Sequence, residues 1–101
     1  MKDDIRDMAD VSRRILQLRP VTFRYMQPYA DGSKPIQFGL VAEEVAEVFP
    51  ELAVRGADGQ VETVHDERLS VLLLNELQRQ ERLMQDVLAR LAMLEAERYG
   101  R

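Results

Sequence analysis

The sequence predicts an α+β fold, in which a small strand-containing globular part is followed by a long C-terminal helix. Two observations indicate this class. In the first 65 residues, short helical and alternating patterns are separated by proline, glycine and aspartate, which are typical turn residues. Residues 66–98 contain neither proline nor glycine and are rich in good helix formers. A chain of 101 residues suits one domain, so we expect residues 1–65 to form its globular part and residues 66–99 an oligomerising helix.

The N-terminal third of the chain predicts a helix followed by a strand. Apolar residues at spacings of three and four indicate an amphipathic helix from Met8 to Leu18. Pro20 ends it, because proline disfavours the helical conformation of the residue before it. Residues 21–26 then alternate between apolar and polar side chains, as in a half-buried strand. Residues 28–35 are rich in turn formers and are predicted to be an exposed loop.

The middle of the chain predicts a second strand, a short helix and a hairpin. The strand spans residues 36–41 and contains Gly39, which indicates a bulge or a close backbone approach. Residues 42–49 return to helical spacing, and Pro50 ends that helix. Asp58-Gly59 lies between two alternating segments, which is a strong hairpin signal.

The C-terminal segment predicts one long helix with Asp66 as its N-cap, because a carboxylate can accept the free N–H groups of the first turn. At 1.5 Å per residue, a helix of roughly 30 residues is ~45 Å long. A small domain cannot cover a helix of that length alone. Part of the helix is therefore expected to contact another chain.

A heptad pattern runs along this helix, with alternating spacings of four and three as in a coiled-coil seam. We predict that self-association buries the following residues: Leu73, Leu77, Gln80, Met84, Val87, Leu91 and Leu94. Flanking leucines widen the stripe, which favours more than two helices or docking on the globular part. For residues 69–77 such docking explains the pattern at least as well, whereas residues 84–94 favour self-association. Gln80 could set the register as a polar layer, or mark a solvated break.

Composition argues against several classes of partner. The formal net charge is −4, and no basic patch stands apart from acidic residues, which argues against nucleic acid. The chain has no cysteine, so it can form neither a disulfide nor a cysteine-based metal site. No apolar run approaches the ~18 residues that a membrane span needs, and the N-terminus has no secretory signal. We expect no cofactor, no metal and no membrane partner.

No catalytic constellation is complete in the sequence. His65 is the only histidine, so it cannot form a histidine-based zinc site, and a loop or capping role is expected. Glu43, Glu44 and Glu47 have the spacing of a solvated helix face. No serine lies in a Gly-x-Ser-x-Gly or Ser-x-x-Lys motif, and no phosphate-binding glycine loop is present. A small enzyme with Glu43, Glu44 and His65 in a site between subunits therefore has no support from spacing.

Five segments in one order carry a resemblance: ILQLRPVTFRY at 15–25, FGLVAEEV at 38–45, VFPEL at 48–52, DG at 58–59 and LSVLLLNELQ at 69–78. The ordered set covers nearly the whole chain and resembles the intramolecular chaperone of endosialidase type, peptidase family S74. The resemblance implies a C-terminal domain of a tail spike or fibre whose three copies form a coiled-coil-like bundle. The homotrimer would bring the upstream regions of its own precursor into register.

The same resemblance implies self-cleavage by a serine–lysine mechanism, at a Ser-Asp-x-x-x-Lys motif. Lys2, followed by acidic and apolar residues 3–8, resembles the lysine end of that motif and would be the general base. The serine, five residues before Lys2, would precede Met1, so we expect this chain to be inactive and to resemble the released, soluble part. The alternative is a non-catalytic structural trimerisation cap of a surface or tail fibre. Either would belong to a phage virion tail or a bacterial cell surface, after assembly in the host cytoplasm.

Overall fold

The computed structural model describes residues 1–99. Its elements are a 3-10 helix Val11–Gln17, β1 Val21–Phe23, β2 Gln37–Gly39, α1 Ala42–Val48, a 3-10 turn Pro50–Leu52, β3 Ala53–Arg55, β4 Val61–Val64 and α2 Asp66–Tyr99. β1 pairs with β2, and β3 pairs with β4, in two separate antiparallel sheets. The predicted α+β class with a long C-terminal helix is confirmed.

The chain enters the fold through an exposed segment, residues 1–7, and a turn at Ala9. Ala9 has φ 60°, in the left-handed region that side-chain-bearing residues rarely adopt, so no helix can run on from Met8. The predicted α-helix from Met8 to Leu18 is therefore wrong in its type and its start. A 3-10 helix begins at Val11 instead, and Leu18 is already extended with ψ 149°.

β1 and β2 have three residues each, where six were predicted for each strand. Val21 lies opposite Gly39 at one end, and Phe23 lies opposite Gln37 at the other. Pairing stops there because the chain then turns into the exposed loop. Gly39 accommodates an aromatic ring, since a Cβ at that position would lie 3.2 Å from Cε1 of Phe23.

β3 and β4 form the predicted hairpin. Gly59 has φ 82°, a left-handed conformation that glycine adopts without steric cost. Its N–H donates to the carbonyl of Gly56 at 3.0 Å, which closes the turn. The register shifts between Val54 and Arg55, so a bulge bends the hairpin.

The core lies between the N-terminal 3-10 helix, α1 and the first turns of α2. Its buried apolar side chains, within residues 1–99, are Ile15, Val45, Phe49, Leu52 and Leu72. Val45 lies in α1, and Phe49 directly follows the last residue of that helix, with its N–H donating to the carbonyl of Val45 at 2.7 Å. This is a small core, and many large apolar side chains elsewhere remain exposed.

α2 starts directly after His65, whose carbonyl accepts the N–H of Leu69 at 3.0 Å. His65 therefore takes the N-cap position, and Asp66 is the first helical residue, not the N-cap that was predicted. With 34 residues, α2 is about 51 Å long. The Cα radius of gyration is 20.4 Å, against about 13 Å for a compact domain of this length, because α2 projects far beyond the globular part.

Candidate oligomerisation surface

α2 consists of a docked half, residues 66–80, and a projecting half, residues 81–99. In the docked half, Leu72 and Glu76 are buried where the helix packs on the N-terminal 3-10 helix and the Pro50–Leu52 turn. Every residue of the projecting half is exposed. The globular part therefore supports the first four turns of the helix and leaves the rest in water.

The predicted seam residues lie on one side of α2, next to its docked face. At 3.6 residues per turn they fall within an arc of roughly 100° and extend over about 32 Å. All seven are exposed, namely Leu73, Leu77, Gln80, Met84, Val87, Leu91 and Leu94. Leu77 is 68% exposed. The protomer thus leaves a long apolar strip uncovered, although burying apolar area stabilises a protein by about 25 cal/mol per Å².

A second apolar surface, which was not predicted, is a groove of about 700 Å³ between the β1–β2 pair and the start of α2. Its lining includes Leu18, Val21, Phe38, Leu40, Leu69 and Leu73. Phe38 is 83% exposed at the rim. The sequence signal for this groove is the alternation of side chains along β2. Gln37 and Gly39 lie on its half-buried face, so Phe38 lies on the opposite face. Leu73 belongs to both surfaces, so the seam and the groove are continuous.

The seam residue Gln80 also contacts a buried carboxylate. Its Nε2 donates to Oε2 of Glu76 at 2.7 Å, and Glu76 is only 3% exposed. Nη1 of Arg79 donates to both carboxylate oxygens at 3.1 Å, and Oγ of Ser12 donates to Oε1 at 2.9 Å. The Gln80 hydrogen bond is the largest cause that holds the pKa of Glu76 below its usual range. Burial opposes this shift, and Ser12 and Arg79 add to it.

Ser12 extends this network to the N-terminal segment. Nδ2 of Asn75 donates to Oγ of Ser12 at 2.7 Å and to the carbonyl of Ala9 at 2.9 Å. Ser12 is fully buried, and its hydroxyl is committed to Asn75 and Glu76, so it is a structural residue rather than a nucleophile. Within residues 1–99, every buried side-chain nitrogen or oxygen has a hydrogen-bond partner. The 3-10 helix is therefore attached to α2 by polar as well as apolar contacts.

The residues that the sequence analysis considered for catalysis belong neither to the seam nor to the lining of the groove. Lys2 is exposed in the N-terminal segment, outside any helix or strand. Glu44 bonds to Arg19, whose Nε donates to Oε1 at 3.0 Å, and this hydrogen bond is the main reason that the pKa of Glu44 is lowered. His65 is half-buried at the start of α2. Over residues 1–99, no group of three or more histidine or acidic side chains is placed to hold a metal ion.

Across the described 99 residues, none of the helices has the length and apolar character required to traverse a bilayer. A family model described as the chaperone of endosialidase, peptidase S74, matches residues 1–54 of the chain. The match covers more than half of the sequence, from the N-terminal segment through α1 to the start of β3. A search of curated proteins found no match. The matched residues include the 3-10 helix, β1, β2 and α1, whereas α2 lies outside the match.

Proposed function

Because the chain belongs to the peptidase S74 family of endosialidase chaperones, we propose that it is an intramolecular chaperone domain that associates as a homotrimer. Its partner is the upstream region of its own precursor, a spike or fibre of a phage tail or of a bacterial surface. The observation that carries the proposal is the uncovered apolar surface formed by the seam and the groove. A protomer with so small a core and so long an exposed strip gains stability mainly by association.

Parallel association of three α2 helices would explain the register function. In a threefold bundle, equivalent residues lie at the same height, so the three globular parts and the three N-terminal segments meet at one end. The upstream chains are then aligned residue for residue. Threading a β-rich stalk is slow because its contacts are non-local, and tethering raises the effective concentration of its strands.

The width of the exposed stripe favours three helices over two. Leu74, Leu83 and Leu88 flank the seam, and all three are about half exposed. A two-stranded seam buries a narrow strip, whereas a larger bundle also covers flanking positions. The groove adds apolar area at the globular end of the same surface.

Self-cleavage in the N-terminal segment, with Lys2 as general base, is the second part of the proposal. A lysine acts as a base when burial or neighbouring charge activates it, and Lys2 is exposed in this structure. That exposure favours the alternative, a non-catalytic trimerisation cap. A Ser-Asp pair with its serine five residues before Lys2 in the precursor would distinguish the chaperone that once cleaved itself from the cap.

The proposal is tested by the mass in solution, measured by light scattering on a sizing column over a range of concentrations. We expect three times the protomer mass of 11.7 kDa. Leu91→Asp should lower the association constant at least about a hundredfold, because it buries a carboxylate from each chain in one layer. The protomer should stay folded, since Leu91 lies in the exposed projecting half.

Met93→Asp is the matched control, because Met93 lies on the same part of α2 outside the seam and is 65% exposed. This variant should keep the mass of the wild type. A monomer at all concentrations would refute association, and a stable Leu91→Asp trimer would refute the seam.

A further inference from the structure

A continuous path of hydrogen bonds leads from the seam to the N-terminal segment. It starts at Gln80, passes through the carboxylate of Glu76 to Ser12, and ends where Asn75 holds both Ser12 and the carbonyl of Ala9. All four bonds are between 2.7 and 2.9 Å. The path connects an exposed residue of the association surface with the strained turn through which the chain enters the domain.

Both ends of the path are suited to transmit a change. A primary amide has two N–H donors and one carbonyl acceptor, so Gln80 can hold Glu76 and still bond to a partner across the seam. At the other end, Ala9 has φ 60°, and strain of this kind persists only where surrounding contacts hold it. Asn75 makes that contact with the carbonyl of Ala9.

We infer that Gln80, Glu76, Ser12 and Asn75 form a relay that transmits the conformation of the seam to the N-terminal segment. When association fixes the Gln80 amide, Glu76 keeps one orientation, Ser12 keeps its hydroxyl on that carboxylate, and Asn75 stays on Ala9. The N-terminal segment then enters the domain from one direction. The inference rests on the proposed self-association for its trigger, and by linkage an ordered N-terminal segment favours association in return.

A purely structural network would behave differently. Without Gln80, the Glu76 carboxylate still accepts hydrogen bonds from Ser12 and Arg79. If the network only attaches the 3-10 helix to α2, replacing Gln80 leaves the N-terminal turn as well protected as before. If the relay operates, replacing Gln80 must lower the protection of residues 9–17, although Gln80 itself has no hydrogen bond to them.

Hydrogen exchange of the full chain, followed by mass spectrometry, tests the relay. The variant is Gln80→Leu and its matched control is Gln85→Leu, because Nε2 of Gln85 donates to Oε1 of Glu81 at 3.0 Å with the same spacing of four. Gln80→Leu should lower protection of residues 9–17 roughly tenfold or more, as expected for losing a hydrogen bond to a charged group. Gln85→Leu should not, and residues 45–52 in the core serve as the internal reference.

Light scattering on the same samples separates the relay from the proposed function. Leucine suits a seam position, so Gln80→Leu should still associate. If it associates and protects residues 9–17 as Gln85→Leu does, the relay is refuted while the proposed association stands. If every sample is a monomer but Gln80→Leu still loses protection, the path from Gln80 to the N-terminal segment is supported, whereas the proposed association, and with it the trigger of the relay, is refuted.

A double variant gives a second, independent test. Asn75→Ala should lower the protection of residues 9–17, and adding Gln80→Leu should lower it no further, because the path is already broken at Asn75. Residues that act through one network are non-additive in this way. Losses that add in full would refute the relay.

Discussion

The docked and projecting halves of α2 have similar sequences and very different surroundings. Both are free of proline and glycine and rich in leucine, arginine and glutamate. The docked half buries Leu72 and Glu76 against its own chain, whereas the projecting half leaves Leu83, Met84 and Leu91 about half exposed. Intrinsic propensity therefore accounts for the helix, but the two halves differ in what stabilises them. Most helical stability in proteins comes from packing of an apolar face. The projecting half has no such packing within the protomer, and the proposed association would supply it.

The two halves also differ in the polarity of the side chains that they use or offer for packing. The docked half uses a buried carboxylate with three donors, while the seam of the projecting half, from Met84 to Leu94, is apolar. A buried polar network is stabilising only when every member is bonded, so it specifies one arrangement of the 3-10 helix on α2. An apolar seam tolerates several partners of similar shape, and in the proposed association a polar layer at Gln80 would set its register.

The largest expected effect is on the stability of the protomer, which should depend on the docked half of α2 far more than on the projecting half. In the Leu91→Asp background, where association does not contribute, Leu72→Ala should lower the free energy of unfolding by about 2–4 kcal/mol, because it leaves a cavity in the core. Leu88→Ala in the projecting half should change it by less than about 0.5 kcal/mol. Urea denaturation followed by circular dichroism measures both. Equal losses would mean that the projecting half packs on its own globular part.

Patterns among residues close in sequence predicted the long helix and the hairpin, but they did not predict the long-range contacts of the docked half. The length of α2 follows from the helix formers of residues 66–98, and the hairpin follows from the Asp58-Gly59 turn; both signals depend on residues close in sequence. The seam stays a prediction. The burial of Glu76 could not be predicted, because its partner Ser12 lies 64 residues away and a glutamate on a leucine-rich helix normally faces water. The left-handed Ala9, which replaces the predicted α-helix by a 3-10 helix, is held by Asn75 from the same distant helix.

The groove was missed for a related reason. The sequence predicted a short strand at residues 36–41, but only the fold shows that Phe38 of this strand lines a groove together with Leu69 and Leu73. Strand length was overestimated because two strands pair only as far as their loop permits. Sequence patterns thus predicted which faces are apolar, and tertiary contacts decided which of them are covered.

A smaller effect tests whether the docked half also takes part in association. Phe38→Ala should weaken the proposed trimer by about 1.5–3 kcal/mol per protomer, as expected when a fully buried phenylalanine side chain is removed. Met26→Ala is the control, because Met26 is 90% exposed in the loop and does not line the groove. Sedimentation over a dilution series measures association. If both variants associate as the wild type does, the surface is limited to the projecting half.

The smallest effect concerns the acid sensitivity of the docked half. The hydrogen bond from Gln80, with those from Ser12 and Arg79, lowers the pKa of Glu76. A carboxyl whose pKa is lower in the folded state stabilises the fold above its unfolded pKa, and this contribution is lost as the pH falls through the folded pKa. In the Leu91→Asp background, stability should therefore decline below the ordinary glutamate value of 4.5.

Glu76→Gln should be less stable at neutral pH and should show a flatter decline in acid, as measured by urea denaturation at each pH. The control is Glu44→Gln, because the pKa of Glu44 is also lowered, mainly by its hydrogen bond from Arg19. That pair is exposed, with 43% of the Glu44 side chain accessible, so salt screens it. In high salt, Glu44→Gln should follow the wild-type curve while Glu76→Gln stays flatter. If Glu76→Gln declines as steeply as the wild type, acid sensitivity does not arise from the contact between the 3-10 helix and α2, and the two halves of the helix differ in apolar burial alone.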